Sequence, residues 1–288
     1  MTPKNRKRLI VLAIAVMAVA CVGLLVWLNR DRVGRAYDRL NGTAVSEMHV
    51  EVSRADYPVK GIDISHYQGD IDFKKVVADS VEFVMIKATE GIDHIDTCMT
   101  QNYYGATAAG LKTGFYHFFR FDRGGVKQGR HFLAVTHGLP VDLPLVIDVE
   151  TAGNPEVDYY KVVGRLRDMI GYLRRHGQRV MIYCNTITYD TYIRGNFEGT
   201  DLWIASSHKA SDTGDPRMLW QHSHNGRVNG INATVDINTF NGTRQAFYKW
   251  LASEGDLSIP AEPDTDSMVL ADTLVIVTPP DSLTRDTQ

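Results

Sequence analysis

Between residues 61 and 250, short apolar runs alternate with longer mixed segments, and this alternation limits the fold more than any other sequence feature. Runs such as Leu145-Val146-Ile147 are apolar throughout, which is typical of parallel strands covered on both faces. Strands separated by helix-length segments predict βα units rather than a β-sandwich. The runs predicted as strands are residues 61–66, 83–89, 113–119, 143–150, 179–184, 202–206, 219–223 and 235–240.

The segments between these strands indicate the architecture. Residues 97–110, 124–138 and 157–176 are long enough for helices, whereas the connections after the sixth strand are short and contain Gly and Asn. We therefore expect the last three strands to lack full helical crossovers. Eight strands predict an α/β fold, an irregular eight-stranded β/α barrel of the TIM-barrel type, although about 190 residues is short for a fold that usually has about 250.

The N-terminal residues predict a membrane anchor. Residues 9–28 carry no charge and are long enough to cross a hydrocarbon core of about 30 Å. Residues 1–8 are basic, which predicts that they lie in the cytoplasm and that the chain beyond the anchor lies outside it. Two alternatives are a cleaved signal peptide, whose apolar region is usually shorter, and a lipoprotein modified at Cys21. Residues 29–59 are predicted to form a stalk with one or two helical turns.

The C-terminal residues 256–288 contain seven Asp or Glu residues against one Arg, and four of the ten prolines. We predict an acidic, mostly disordered tail, because such a segment buries too little apolar surface to offset the entropy of ordering. The charges of the two ends cancel, so residues 36–255 hold the net charge of −3 of the whole chain. A near-neutral interior gives no reason to expect nucleic-acid binding. Cys98 and Cys184 are expected to be free, buried thiols.

Four acidic residues follow or interrupt predicted strands. Asp148 and Glu150 end the fourth strand, and residues two apart in a strand share one face at a spacing of about 6.6 Å. Asp63 and Asp236 lie on the first and eighth strands, which are neighbours in a closed barrel. Carboxylates in one pocket repel each other, which raises some of their pKa values and keeps one protonated near neutral pH, as a general acid requires.

This set of acids suits glycoside hydrolysis. The reaction needs one acid to protonate the leaving oxygen and a second carboxylate to stabilise the positive charge that develops on the sugar. Aromatic side chains near the strand ends would offer surfaces for stacking against sugar rings, although such residues are more often part of the core. The candidates are Tyr67, Tyr116, Tyr183, Trp203 and Trp220.

At these residues the chain resembles glycoside hydrolase family 25, the lysozymes that act as N-acetylmuramidases on peptidoglycan. Seven segments match the family in order across residues 60 to about 250, and ordered matches are more specific than any single motif. They are Gly61-Ile-Asp-Ile-Ser-His-Tyr-Gln-Gly69, Lys87-Ala-Thr-Glu-Gly91, Gly114-Phe-Tyr-His-Phe-Phe119, Leu143-Pro-Leu-Val-Ile-Asp-Val-Glu150, Leu202-Trp-Ile-Ala205, Trp220-Gln-His-Ser223 and Val235-Asp-Ile-Asn238. The resemblance implies that residues 60–255 form a catalytic barrel with about five βα units followed by strands.

The resemblance also implies a reaction, which is cleavage of the β-1,4 bond between N-acetylmuramic acid and N-acetylglucosamine. Glu150 would be the proton donor. Asp148 would orient the substrate's own 2-acetamido oxygen as the nucleophile, and Asp63 and Asp236 would complete the acidic floor. The residues that the resemblance implies for substrate binding are Lys87, Glu90, Tyr116, Tyr183, Trp203, Trp220 and Gln221.

Other functions stay open at this point. The Asp-x-Glu sequence also suits a chitinase-like hydrolase of N-acetylglucosamine polymers, although the longer acidic run of such enzymes is missing before Glu150. A non-catalytic peptidoglycan-binding module could keep the same pocket, although all four acids are present. We expect neither a metal nor a cofactor, because no two histidines have the i, i+4 spacing of a zinc peptidase and no phosphate-binding glycine loop is found. The expected partners are peptidoglycan strands and, through residues 9–28, the membrane.

Overall fold

The predicted strands close into a barrel. The computed structural model describes residues 48–253, and its strands are β1 (Lys60–Ile64), β2 (Val81–Glu90), β3 (His94–Ile95), β4 (Lys112–Phe118), β5 (Leu145–Asp148), β6 (Val180–Asn185), β7 (Asp201–Ala205), β8 (Leu219–Gly226) and β9 (Val235–Phe240). Strand β3 is a short partner of β2. The other eight strands form a closed sheet in the order β1-β9-β8-β7-β6-β5-β4-β2, in which β2 also pairs with β1. The prediction of an irregular eight-stranded barrel is confirmed for this part of the chain.

Helices lie between the strands and after the last strand, and the longest of them connect strands in the first two thirds of the barrel. The helices are α1 (Phe73–Ala78), α2 (Met99–Ala108), α3 (Gly125–Thr136), α4 (Tyr159–Arg175), α5 (Thr186–Thr188), α6 (Ala210–Thr213) and α7 (Arg244–Leu251). Helix α4 begins where the side chain of Asp158 accepts a hydrogen bond from the Lys161 N–H, and it ends just before Gly177, whose φ of 74° no longer continues a helix. The three predicted helices correspond to α2, α3 and α4.

The last strand runs against the direction of the other seven strands of the closed barrel. Strands β1, β2 and β4 to β8 form parallel pairs, whereas β9 is antiparallel to both β8 and β1. The connection between β8 and β9 is residues 227–234. A parallel crossover needs about a dozen residues or more, so this connection can only reverse the chain.

Side chains of each strand alternate between two apolar layers. In β5, Leu145 and Ile147 pack with the helices in an outer layer, whereas Val146 packs inside the barrel. Helix α7 closes the interior at the N-terminal ends of the parallel strands, because its Phe247 and Trp250 are buried in the inner layer. This apolar floor leaves the opposite end, where the parallel strands finish, for polar side chains.

Part of the predicted stalk belongs to the barrel. The Val50 N–H donates to His222 O at 2.9 Å, the ring of Tyr57 contacts the ring of Trp220 at 5.4 Å between centroids, and Val59 is fully buried. Residues 48–59 therefore lie against β8 and β9 instead of standing away from the barrel as a stalk. The β8–β9 hairpin has no crossover helix, so its outer face is covered by this segment.

Other expectations for the ends of the chain lie outside the described residues. The predicted anchor at residues 9–28 and the predicted tail at residues 256–288 are both beyond residues 48–253. Within those residues, no helix has the length and apolar character needed to cross a bilayer. Cys98 and Cys184 are free thiols as predicted, but only Cys184 is buried, and Cys98 is partly exposed.

Candidate active site

The structure brings the four predicted acids together at the end of the barrel where the parallel strands finish. Asp63 of β1 and Asp236 of β9 are directly opposite each other in the antiparallel pair. Asp148 is the last residue of β5, and Glu150 follows it by two residues. The negative charge of Glu150 acts on both Asp63 and Asp148. The expected convergence of the carboxylates is therefore present in the fold.

Gln221 of β8 links these acids through hydrogen bonds. Its Nε2 donates to Asp63 Oδ2 at 2.9 Å and to Asp236 Oδ2 at 3.2 Å. Its Oε1 accepts a hydrogen bond of 2.6 Å from the hydroxyl of Tyr183. Asn238 Nδ2 donates to the same Asp63 oxygen at 2.7 Å. Both amide side chains are buried. Their hydrogen bonds therefore fix the positions of the Asp63 and Asp236 carboxylates.

Burial and mutual repulsion change the acidity of the carboxyl groups. Burial, followed by the charge of Asp236, holds the pKa of Asp63 well above its usual value. Burial, followed by the charge of Glu150, does the same to the pKa of Asp148. Burial also raises the pKa of Glu150, while His224, when it is protonated, acts against this rise. A carboxyl group with a raised pKa stays protonated at higher pH and is suited to act as a general acid.

Asp148 keeps one oxygen without a partner. Its side chain is buried, and its Oδ1 receives no hydrogen bond in the structure. Buried polar atoms without a partner are rare, because losing hydration without a replacement is costly. The positive charge of Lys87 on β2 favours the ionised form of Asp148, and Lys87 Nζ lies 3.0 Å from Glu90 Oε2. The protein therefore leaves one buried oxygen of the site without a hydrogen-bond partner of its own.

Three of the candidate aromatic residues lie at the mouth of the barrel. Tyr116 and Tyr183 are buried next to the acids. Burial, followed by the charges of the surrounding carboxylates, raises the pKa of both phenols. Tyr67 lies in the turn that follows β1, and this residue is 76% exposed. Of these three residues, Tyr67 offers the most open surface for contact with a ligand.

Trp203 and Trp220 are core residues, which corrects their predicted role as surfaces for sugar binding. Trp203 is buried inside the barrel, where its Nε1 donates to Asn238 Oδ1 at 2.8 Å. Trp220 is the neighbour of Gln221 in β8, so its side chain points to the opposite, outer face. There its Nε1 donates to Ser206 O at 2.7 Å. Trp203 supports the site through Asn238, and Trp220 does not reach it.

Two residues near the acids were not among the site residues predicted from the sequence. His224 Nδ1 lies 3.5 Å from Asp236 Oδ2, and the side chain of His224 is only 12% exposed. Asn154 holds the loop after β5, because its Nδ2 donates to Glu150 O at 2.9 Å and its Oδ1 accepts from the Phe121 N–H at 2.8 Å. An Asn four residues after Glu150 was an available signal, since Asn side chains often fix the backbone of loops.

The chemistry available at this site is that of carboxyl groups. Within residues 48–253, no group of three or more His, Cys, Asp and Glu side chains is arranged to hold a metal ion. A buried, protonated carboxyl group can transfer a proton, and an adjacent carboxylate can stabilise or orient positive or polar groups of a substrate.

Comparison with known proteins assigns the family. The family model for glycosyl hydrolases family 25 matches residues 62–231, which is more than half of the chain and includes Asp63, Asp148 and Glu150. The chain belongs to glycoside hydrolase family 25. Both the resemblance seen in the seven segments and the prediction of a glycosidase are confirmed.

Individual relatives of this family 25 hydrolase support the family assignment, and the following identities refer to this chain. It is 35% identical over 183 residues to an autolytic lysozyme from Clostridium acetobutylicum, across 63% of this chain and 56% of that protein. It is 30% identical over 217 residues to an N,O-diacetylmuramidase from Arthroderma benhamiae, across 70% of this chain and 90% of the relative. A family 25 glycosyl hydrolase from Bacillus anthracis has the same fold, with a TM-score of 0.64 and 33% identity over 70% of this chain and 97% of that one. The chain thus spans little more than half the length of the clostridial relative.

Proposed function

We propose that this family 25 protein is a peptidoglycan hydrolase that cleaves the β-1,4 bond between N-acetylmuramic acid and N-acetylglucosamine. Two of its relatives carry the names lysozyme and N,O-diacetylmuramidase. The cluster of Asp63, Asp148, Glu150 and Asp236 supports the same chemistry, since glycoside hydrolysis relies on paired carboxyl groups.

In this proposal Glu150 is the general acid. Its raised pKa keeps it protonated at a pH where an exposed Glu would be ionised. It gives its proton to the oxygen that leaves with the departing sugar, as the bond to the anomeric carbon breaks. Asn154 supports this role because it fixes the backbone carbonyl of Glu150. The ionised Glu150 then takes a proton from the water that completes hydrolysis.

Asp148 is the partner of Glu150, and its unpaired Oδ1 is the observation that carries the proposal. A sugar with a 2-acetamido group brings an N–H donor close to the anomeric carbon. If Asp148 accepts that hydrogen bond, the acetamido oxygen turns toward the anomeric carbon and can attack it as the leaving group departs. The partner of Asp148 is then the substrate, which explains why the protein does not supply one.

The test is an analysis of the products released from purified peptidoglycan. We expect the full-length protein to generate new reducing ends that are N-acetylmuramic acid. Reducing ends of N-acetylglucosamine alone would contradict the proposed bond specificity. Cleavage of chitin oligosaccharides but not of peptidoglycan would indicate a chitinase-like enzyme, and binding without any new reducing ends would indicate a non-catalytic module.

We also propose that residues 9–28 anchor the hydrolase in a membrane, with the barrel outside the cytoplasm where peptidoglycan lies. The twenty uncharged residues and the basic residues before them support this location. The anchored protein should stay with membranes in high salt and be released by detergent. A mature protein that begins beyond residue 28, that carries lipid at Cys21, or that is released by salt alone would contradict the anchor.

A further inference from the structure

His224 lies at the edge of the acid cluster, on the side formed by β8 and β9. Its Nδ1 is 3.5 Å from Asp236 Oδ2, and its side chain is largely shielded from solvent. When His224 is protonated, its charge also acts on Glu150, where it is the strongest influence opposing the effect of burial. Charges interact strongly at such distances when solvent is excluded.

Other titratable groups at the mouth of the barrel surround His224, Asp236 and Glu150. Asp63 projects from β1, Lys87 from β2, Tyr116 from β4, Asp148 from β5 and Tyr183 from β6. Lys87 is engaged by Glu90 at 3.0 Å, on the β2 side of the mouth. A protonated His224 therefore supplies positive charge on the opposite side, where Asp236 and Glu150 lie.

Residues 48–50, the pre-barrel segment, fix the backbone at His224. The His224 N–H donates to Met48 O at 3.0 Å, and the Val50 N–H donates to His222 O at 2.9 Å. His49 pairs with Ser223 in antiparallel orientation, with their Nδ1 and Oγ atoms 2.9 Å apart. The pairing of β7 with β8 ends at Gln221, so the pre-barrel segment supports the part of β8 beyond it.

We propose that His224 is a positioning residue for hydrolysis, which holds the Asp236 carboxylate and balances the negative charge that Asp236 shares with Glu150. The pre-barrel segment places His224 for this role. The proposal rests on the proposed function of the acid cluster and adds two features to it: His224, which lies between the last two matching segments, and the pre-barrel segment, which precedes the first. The residues that fix His224 lie before residue 62, where the family match begins.

The proposal makes a directional statement about pH. While His224 is charged, it favours the ionised form of Glu150, so Glu150 loses its proton at a lower pH than it would without that charge. Removing the charge should move the alkaline limb of kcat/KM, which reports loss of the proton from the general acid, to higher pH. An effect of about half a pH unit or more is expected for a neighbouring charge at a partly shielded site.

The test compares full-length wild-type protein with H224Q, H224K and H94Q. We expect H224Q to move the alkaline limb upward by about half a pH unit, to lower kcat and to leave KM nearly unchanged. H224K keeps a positive charge and should retain the limb of the wild type. H94Q changes an exposed histidine on β3 and should match the wild type in every respect. An H224Q profile that overlays the wild-type profile would overturn the proposal.

A second measurement does not depend on activity. The titration of the Glu150 carboxyl carbon can be followed by NMR in both proteins, with the signal identified by its loss in E150Q. We expect Glu150 to titrate at higher pH in H224Q than in the wild type, and equal titration curves would overturn the proposal even if no peptidoglycan is cleaved. An inactive wild type with the expected titration shift would instead contradict the proposed function.

The pre-barrel segment is tested by V50P, which removes the N–H that donates to His222. We expect V50P to shift the alkaline limb in the same direction as H224Q but by less, because His224 keeps its charge and loses part of its support. A V50P profile identical to that of the wild type would overturn the role of the segment.

Discussion

Asp63 and Asp236 face each other directly across the antiparallel pair of β1 and β9, and both accept hydrogen bonds from Gln221 Nε2. Two carboxylates held this closely cannot both ionise without cost, and burial together with the charge of Asp236 raises the pKa of Asp63. The site is therefore electrostatically strained where the barrel closes, and this strain has consequences that can be measured.

Replacing Asp63 with Asn should stabilise the protein and impair it as an enzyme. The Asn oxygen can still accept from Gln221 and Asn238, while its amide can donate to Asp236 where Asp63 repelled it. We expect the free energy of unfolding at pH 7 to rise by about 1 kcal/mol, as is common when a strained active-site group is neutralised, and kcat/KM to fall. Urea unfolding and peptidoglycan hydrolysis measure the two effects. A variant that is less stable than the wild type at pH 7 would contradict this account of the pair.

E150Q should lose catalysis and keep binding. The amide has nearly the shape of the acid but no proton to give to the leaving oxygen, so we expect kcat to fall by about 10² to 10⁴-fold. Binding to insoluble peptidoglycan should stay close to the wild-type level in a sedimentation assay. The matched control is E156Q in the exposed part of the loop after β5, which should hydrolyse at the wild-type rate. Wild-type turnover by E150Q would show that another group is the acid.

Replacing either of the buried tryptophans of β7 and β8 should destabilise the protein equally, but only one replacement should lower its activity. W203F and W220F each remove an Nε1 hydrogen bond, to Asn238 and to Ser206 respectively, and each should lower the free energy of unfolding by about 2 kcal/mol. Only Trp203 supports Asn238, which in turn holds Asp63. We therefore expect kcat/KM to fall about tenfold, equivalent to about 1.4 kcal/mol, in W203F alone. Equal losses of activity in the two variants would place Trp220 at the site after all.

His222 should make the protein less stable as the pH falls. Burial lowers its pKa to about 4 in the folded protein, against about 6.5 in an unfolded chain. Between these two values the unfolded state binds the proton first, so stability is lost as pH decreases, by up to about 1.4 kcal/mol per pH unit. H222Q keeps a donor for Val50 O and removes the titration. Urea unfolding from pH 7 to 4.5 should give a shallower decline for H222Q, whereas parallel curves would contradict the prediction.

Much of the barrel could be predicted because its signals are local. The apolar runs and the helix-length segments between them recur within a few residues of each other, so β5 and α4 can be recognised without knowing what they contact. The same holds for Asp148 and Glu150, whose two-residue spacing at the end of an apolar run places them on one face. Asp63 and Asp236 required one further step, the closure of eight strands, and the structure has that closure.

Other features could not be read from local pattern. Trp220 and Gln221 are adjacent in β8, so they must point to opposite faces, but nothing local indicates which of them enters the barrel. His224 would point outward with Trp220 if β8 were regular. The register of β8 against β9 shifts between Gln221 and Ser223 and again between Ser223 and Gly226, and His224 lies instead beside Asp236.

The sequence by itself therefore predicted the class of fold, the family and the four candidate acids, because the strands, the helices and each matching motif are short local patterns, and the order of those patterns indicated closure of the barrel. Tertiary structure decided which tryptophan supports the site, that β9 runs antiparallel, and that residues 48–50 hold the end of β8 at His224. These depend on contacts between residues far apart in the chain, such as His49 with Ser223 and Asn238 with Asp63. Such contacts form only when packing and backbone hydrogen bonding of the whole barrel are satisfied together.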